Sequence, residues 1–218
     1  MSDETRCARC ARKTAVCVCD RAEVLPTRTR VLVLQHPQED DVEFGTVPLL
    51  TLSLPRAQVA VGLSWASLAH AVGEPADPSR WAVLYPTKPA DDVPADARQQ
   101  PVLVLDRKGH VRPPTAPGLD GIVVLDGTWS QAKTLWWRNA WLLKLDRVVL
   151  TPREPSIYGR VRREPRREYV STLEAVADVL PALGEDEAVR GSLRKLMRTM
   201  VQRARDAHDA ARPSTPGR

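Results

Sequence analysis

The stretch that most constrains this chain is residues 121–145, GIVVLDGTWSQAKTLWWRNAWLLKL. Residues 122–125 are three β-branched residues and a leucine in an unbroken run, which suits a strand covered on both faces, as in a parallel sheet. Asp126 and Gly127 end the run. Thr128 and Gln131 then stand at capping-box spacing, so the sequence predicts a helix beginning at Thr128. Leu135, Trp136, Leu142 and Leu143 supply its apolar stripe. Ligands of open α/β sheets sit beyond the carboxyl ends of the strands, and Asp126 stands at such an end, beside helix N–H groups. It is the leading candidate for chemistry, although Asp also occurs there purely as a terminator or cap. Trp136, Trp137 and Trp141 are read as packing residues rather than a base-stacking platform. Trp129, in the first helical turn beside Asp126, is read as facing the site.

The same alternation of strands and helices recurs along the chain. Strands are predicted over 30–36, 80–85, 101–106 and 146–150, with a shorter one over 58–63. Residues 45–54 are read as partly helical, 65–72 as a loop or short helix and 87–100 as a polar surface loop. Ser171 and Glu174 form a second capping box ahead of a helix over 171–183. Its N-terminus would welcome a carboxylate-bearing ligand. A long basic helix over 185–209 carries Val189, Leu193, Leu196, Met197, Met200 and Val201 as a core stripe or an oligomer face. The pattern is α/β, with a largely parallel sheet and helices on both faces. Asp106 copies the position of Asp126 but lacks a capped helix behind it. His36, at the end of the first strand, is read as structural.

All four cysteines of the 218 residues fall between positions 7 and 19, as Cys7-x-x-Cys10 and Cys17-x-Cys19. Four thiolates at this spacing suit one tetrahedral structural Zn²⁺ and leave no open position for catalysis. The expected organisation is a zinc knuckle over 1–24, a catalytic domain over 25–209 and a disordered tail over 210–218. No run is long and apolar enough to span a bilayer, and no secretory segment opens the chain, so a cytoplasmic protein is expected. The net charge of +5 and the run of Arg between 153 and 167, interleaved with Tyr158 and Tyr169, point to a polyanionic partner, nucleic acid ahead of membrane.

Several pieces, taken in order, resemble the DTW-domain family of tRNA-uridine aminocarboxypropyltransferases. They are the four cysteines, Gln35-His36-Pro37 with Glu39, Tyr85-Pro86, Leu125-Asp126-Gly127-Thr128-Trp129 with Gln131-Ala132-Lys133, Arg162-Arg163-Glu164-Pro165, and Ser171-Thr172-Leu173-Glu174-Ala175. Thr87 stands where the family pattern has Gly. The resemblance implies a SPOUT-like fold whose C-terminal part is a trefoil knot. It implies transfer of the 3-amino-3-carboxypropyl group of S-adenosylmethionine to N3 of a tRNA uridine, with methylthioadenosine released. By motif position, Asp126 is the base. Thr128, Trp129, Tyr158, Ser171, Thr172 and Leu173 line the donor pocket, and Lys133, Arg160, Arg162 and Arg163 hold the tRNA. A monomer or weak dimer is expected. The rival readings are a SPOUT-type RNA methyltransferase using the same donor and a non-catalytic zinc-containing RNA-binding protein.

Overall fold

The computed structural model describes residues 6–39, 44–85, 93–113, 118–159, 161 and 170–210. Arg160, Arg162 and Arg163 lie outside the described residues, as does the expected tail beyond position 210. Six strands form one sheet: β1 (Arg30–Gln35), β2 (Ala57–Val61), β3 (Trp81–Tyr85), β4 (Val102–Leu105), β5 (Gly121–Asp126) and β6 (Asp146–Leu150). Their order is β2-β1-β5-β3-β6-β4. Every pairing is parallel except that of β4, which runs antiparallel to β6 at one edge.

Six α-helices are described: α1 (Val47–Ser53), α2 (Leu68–Val72), α3 (Ala95–Arg98), α4 (Trp129–Arg138), α5 (Thr172–Ala182) and α6 (Glu187–Ala210). Side chains alternate across a strand, and here both sets are buried. Val31, Val33, Ile122, Val124 and Val148 join a core with residues of α1, α5 and α6. Leu32, Leu34, Trp81, Val83 and Val123 join a second core with α2, Trp141 and Leu142. Coverage on both faces is why β1 and β5 read as continuous apolar runs. The stripe expected on the last helix is buried throughout as core on α6.

The helix from Thr128 ends sooner than its apolar stripe suggested. α4 stops at Arg138, and residues Ala140–Lys144 form a 3₁₀ helix. The cause is Asn139, which is fully buried. Its amide nitrogen donates to Leu63 O (3.1 Å) and Leu135 O (2.7 Å), and its oxygen accepts from Trp65 N (2.8 Å) and Trp141 Nε1 (3.2 Å). These bonds hold its backbone outside the helical region, at φ −123°, ψ 69°. Leu142 still reaches the core, whereas Leu143 is exposed. The stretch 87–100, expected as a surface loop, contains α3, whose Ala97 packs with Val93 against Leu103, Leu105 and Val149.

The cysteine-rich segment is not detached from the rest. Val18 belongs to the same core as β1 and α6. On α6, Arg203 donates to Cys17 O and forms a two-pronged pair with Asp20 (2.8 Å each). Arg12 is buried too, and donates to Gly45 O. It is therefore a packing cation.

Gly121 opens β5 against the face of Trp81. A Cβ at position 121 would lie 2.6 Å from the Trp81 ring, and that ring is buried under the Arg30 guanidinium (5.6 Å from its centroid). Gly121→Ala is expected to destabilise the fold by about 1–3 kcal/mol, the usual cost of overpacking, measured by denaturant unfolding. An unchanged midpoint would mean that Trp81 has room to move.

Candidate active site and metal centre

Because β1 and β5 run parallel in register, Gln35 pairs with Asp126 at their carboxyl ends. His36 N donates to Asp126 O at 3.0 Å, which closes the ladder. The Asp126 carboxylate is held at both oxygens: Gln35 Nε2 donates to Oδ2 (2.9 Å) and Thr172 Oγ1 donates to Oδ1. A carboxylate offers about four lone-pair sites, so each oxygen keeps capacity for one more donor. Asp126 is half-buried. Its position is fixed, yet a ligand can reach it.

Two capped helices begin at this carboxylate. Thr128 and Gln131 form the capping box of α4. The Gln131 side chain folds back over Gly127, where a Cβ would lie 2.8 Å from Gln131 Cβ, and Gly127 has φ +154°. Only glycine suits both demands. Gln131 Nε2 also donates to Gln38 Oε1 (3.1 Å), which ties α4 to the segment after β1. His36 Nδ1 accepts from Gln38 N (3.3 Å), the structural part expected of that histidine.

At α5, Ser171 and Glu174 form the second capping box. Glu174 is completely buried. Its carboxylate accepts from Ser171 N (2.9 Å), Ser171 Oγ (2.8 Å), Ser156 Oγ (2.8 Å) and Ile157 N (2.7 Å). The loop before α5 is thus pinned to its first turn. Leu173 N donates to Thr46 Oγ1 (3.2 Å) and Glu174 N to Ser171 Oγ (3.2 Å). Two of the N–H groups that a carboxylate-bearing ligand would use are therefore already occupied.

The residues expected around the donor fall into two groups. Thr128 and Trp129 are exposed on α4, and Thr172 touches Asp126. Ser171, Leu173 and Tyr158 are buried, with Tyr158 Oη donating to Phe44 O. Lys133 is exposed one turn along α4. Asp106 is not near this end: β4 is antiparallel, so its carboxyl end lies at the opposite end of the sheet. There Asp106 closes a turn by accepting from Lys108 N (2.8 Å) and His110 N (2.9 Å). Sequence reasoning named Gln35 among the motif residues without giving it a role, and missed Thr46 and Ser156. Gln35 alone left a signal, as a polar residue closing an aliphatic strand. A depression of about 530 Å³ between residues 20–25 and α6, and one of about 400 Å³ lined in part by Asp106, contain none of the residues placed around Asp126.

The four cysteine sulfurs lie within 4.8 Å of one another. Cys7 and Cys19 Sγ are 3.7 Å apart, as are Cys10 and Cys17 Sγ. A tetrahedron with metal–sulfur bonds of about 2.3 Å has edges of about 3.8 Å, so the set fits a four-thiolate ion. The N–H groups of Cys10 and Arg9 lower the Cys7 thiol to about 6. Burial raises Cys17, and burial with the neighbouring Cys10 thiol raises Cys19. A divalent cation would remove that resistance to ionisation.

A family model for the DTW domain matches residues 4–205. The chain belongs to the DTW-domain family. It is 30% identical over 197 residues to tRNA-uridine aminocarboxypropyltransferase 2 of Macaca fascicularis, covering 86% of this chain and 59% of that protein. The mouse protein of the same name is 30% identical over 192 residues, with the same coverage. tRNA-uridine aminocarboxypropyltransferase A of Arabidopsis thaliana is 29% identical over 217 residues, covering 90% of this chain and 79% of that protein. The chain thus spans 59% of the length of each of the two mammalian relatives. No solved structure matches. The Asp-x-Thr-Trp of the DTW family is the turn between β5 and α4, so the family motif and the fixed carboxylate coincide.

Glu174→Ala would strand the Ser156, Ile157 and Ser171 donors in the interior. The expected cost is roughly 3 kcal/mol or more, read as a fall in the unfolding midpoint. A loss below about 1 kcal/mol would mean that water replaces the carboxylate.

Proposed function

We propose that this protein transfers the 3-amino-3-carboxypropyl group of S-adenosylmethionine to N3 of a uridine in tRNA. The observation that carries the reading is the Asp126 carboxylate, oriented at both oxygens by Gln35 and Thr172 where two capped helices begin, within the DTW motif. Uridine N3 is a poor nucleophile until it loses its proton, and a carboxylate within hydrogen-bond reach can take it. The N3 electron pair then forms a bond to the donor carbon next to sulfur. The carbon–sulfur bond breaks, its electrons neutralise the sulfonium, and methylthioadenosine leaves. The methyl carbon is also activated, so the site must present the other carbon, which is a matter of orientation.

Thr128, Trp129 and Thr172 are the residues assigned to the donor, with the buried Ser171 and Leu173 holding Thr172 in the first turn of α5 and Tyr158 buried in the core. Lys133, Arg160, Arg162 and Arg163 are assigned to the tRNA backbone. The resident ion of the cysteine cluster is assigned as Zn²⁺ in a structural role, holding residues 7–19 on α6. The finer reading of the fold is SPOUT-like with a trefoil knot. Its support is the family resemblance, together with β5 lying between β1 and β3 in a parallel sheet. No helix among the described residues is long and apolar enough to cross a membrane, and a reducing, cytoplasmic setting suits four free thiols.

Asp126→Asn keeps the side chain's size and one of its two accepted hydrogen bonds, and the other is kept only in reverse, by rotation of the Thr172 hydroxyl or a flip of the Gln35 amide. It cannot accept the proton. Donor affinity should change little, and transfer should fall by roughly 10²–10⁴-fold. The deficit should shrink as pH rises, because hydroxide then deprotonates the uridine. Near-normal turnover in this variant would falsify the base assignment, and lost donor binding would make Asp126 a positioning residue. Purified protein should carry about one zinc per chain, and Cys17→Ser should lower thermal stability more than donor affinity. Active, folded protein with no metal would overturn the zinc assignment.

A further inference from the structure

Helix α4 carries Trp129, Lys133 and Trp137 at four-residue spacing, which places them along one face. All three are exposed, Trp137 by 79%. The helix is nevertheless anchored on its other side, where Ala132 and Leu135 are buried and Trp136 packs against the core that contains Trp81. The exposure of Trp137 is therefore not the result of a loosely held element. Its indole forgoes the large burial that tryptophan normally finds, and packing does not account for it.

A second copy of this chain would need a contiguous apolar patch. Here the two indoles are separated by the Lys133 ammonium, and Arg138 is exposed next to Trp137. Alternating aromatic and cationic side chains fit a nucleic-acid strand instead, because bases stack on the rings while phosphates meet the cations. The net charge of +5 favours the same partner. The face starts at Asp126: Trp129 opens α4 three residues after it, and Trp137 follows eight residues later, about 12 Å along the axis. Stacked nucleotides advance about 3.4 Å each, so that span is about three to four nucleotides.

We propose that this face of α4 is a stacking platform for the tRNA, with Trp137 lying against a nucleobase at least about three to four nucleotides from the uridine held at Asp126. The proposal rests on the transferase reading for its substrate but not for its chemistry. It makes Trp137 a determinant of tRNA affinity with no part in the transfer step.

The test uses full-length protein, fluorescently labelled tRNA, and the variants Trp137→Ala, Trp137→Phe and Trp137→Leu. Trp137→Ala should melt like wild type, bind tRNA roughly 5- to 150-fold more weakly, the range that one base–aromatic stack supplies, and raise KM for tRNA with kcat unchanged. Phe should restore most of the affinity. Leu, which is apolar but has no π-face, should not. Single abasic nucleotides should then be placed at each position up to five from the modified uridine. At one position, wild type should fall to the affinity of Trp137→Ala, and that variant should lose nothing further. Unchanged affinity in Trp137→Ala, or a penalty that persists on every abasic tRNA, would overturn the proposal. So would full restoration by Leu with a dimer seen in sedimentation, which would make this face a contact between copies. Wild-type protein that binds tRNA through Trp137 yet transfers nothing would sink the transferase reading and leave the platform standing.

Discussion

A carboxylate with no access to water must be surrounded by donors, or its charge is untenable. Glu174 meets that demand with Ser171, Ser156 and the Ile157 backbone, and the rest of the site depends on it. These bonds fix where α5 begins and hold the preceding loop against it. Thr172, the first residue of α5, is thereby delivered to Asp126, and Leu173 N to Thr46. Tyr158, in the same loop, is locked into the core. One fully buried acid thus positions a half-buried one, though the two lie on different elements and 48 residues apart in sequence.

The sheet supplies the other half of the constraint. β5 lies between β1 and β3, so its carboxyl end is flanked by parallel neighbours whose own ends point the same way. Gln35 can reach Asp126 only because the β1–β5 register pairs them directly. A shift of one residue would turn Gln35 to the other face of the sheet. The turn at Gly127 then carries the chain into α4 without a Cβ to collide with Gln131. Positioning comes from rigid elements and their caps, which suits the proposed transfer, where one of two activated carbons of the donor must be chosen.

Much of this was legible in the chain because its signals are local. The apolar run of β5, both capping boxes and the clustered cysteines each declare themselves within a few residues, and the structure forms all of them. What the sequence hid depends on distant partners. Nothing near Asn139 announces that Leu63 and Trp65 will claim its side chain and stop α4. Tyr158 and Leu173 sit in motifs that suggest a pocket, but they are covered by packing from Phe44 and from α6. Trp137 reads in the sequence as a packing residue and is exposed, because it lies on the side of α4 away from the buried Ala132 and Leu135. The arginines between 160 and 167 fall outside the described residues.

The central claim concerns which carbon of the donor moves, and product identity decides it. Wild-type protein would be incubated with tRNA and with S-adenosylmethionine labelled either in the methyl group or in the aminocarboxypropyl chain. The account predicts that the chain label appears on uridine in the tRNA and that the methyl label leaves in methylthioadenosine. Methyl label retained on the tRNA, with S-adenosylhomocysteine as the other product, would contradict it and make the protein a methyltransferase.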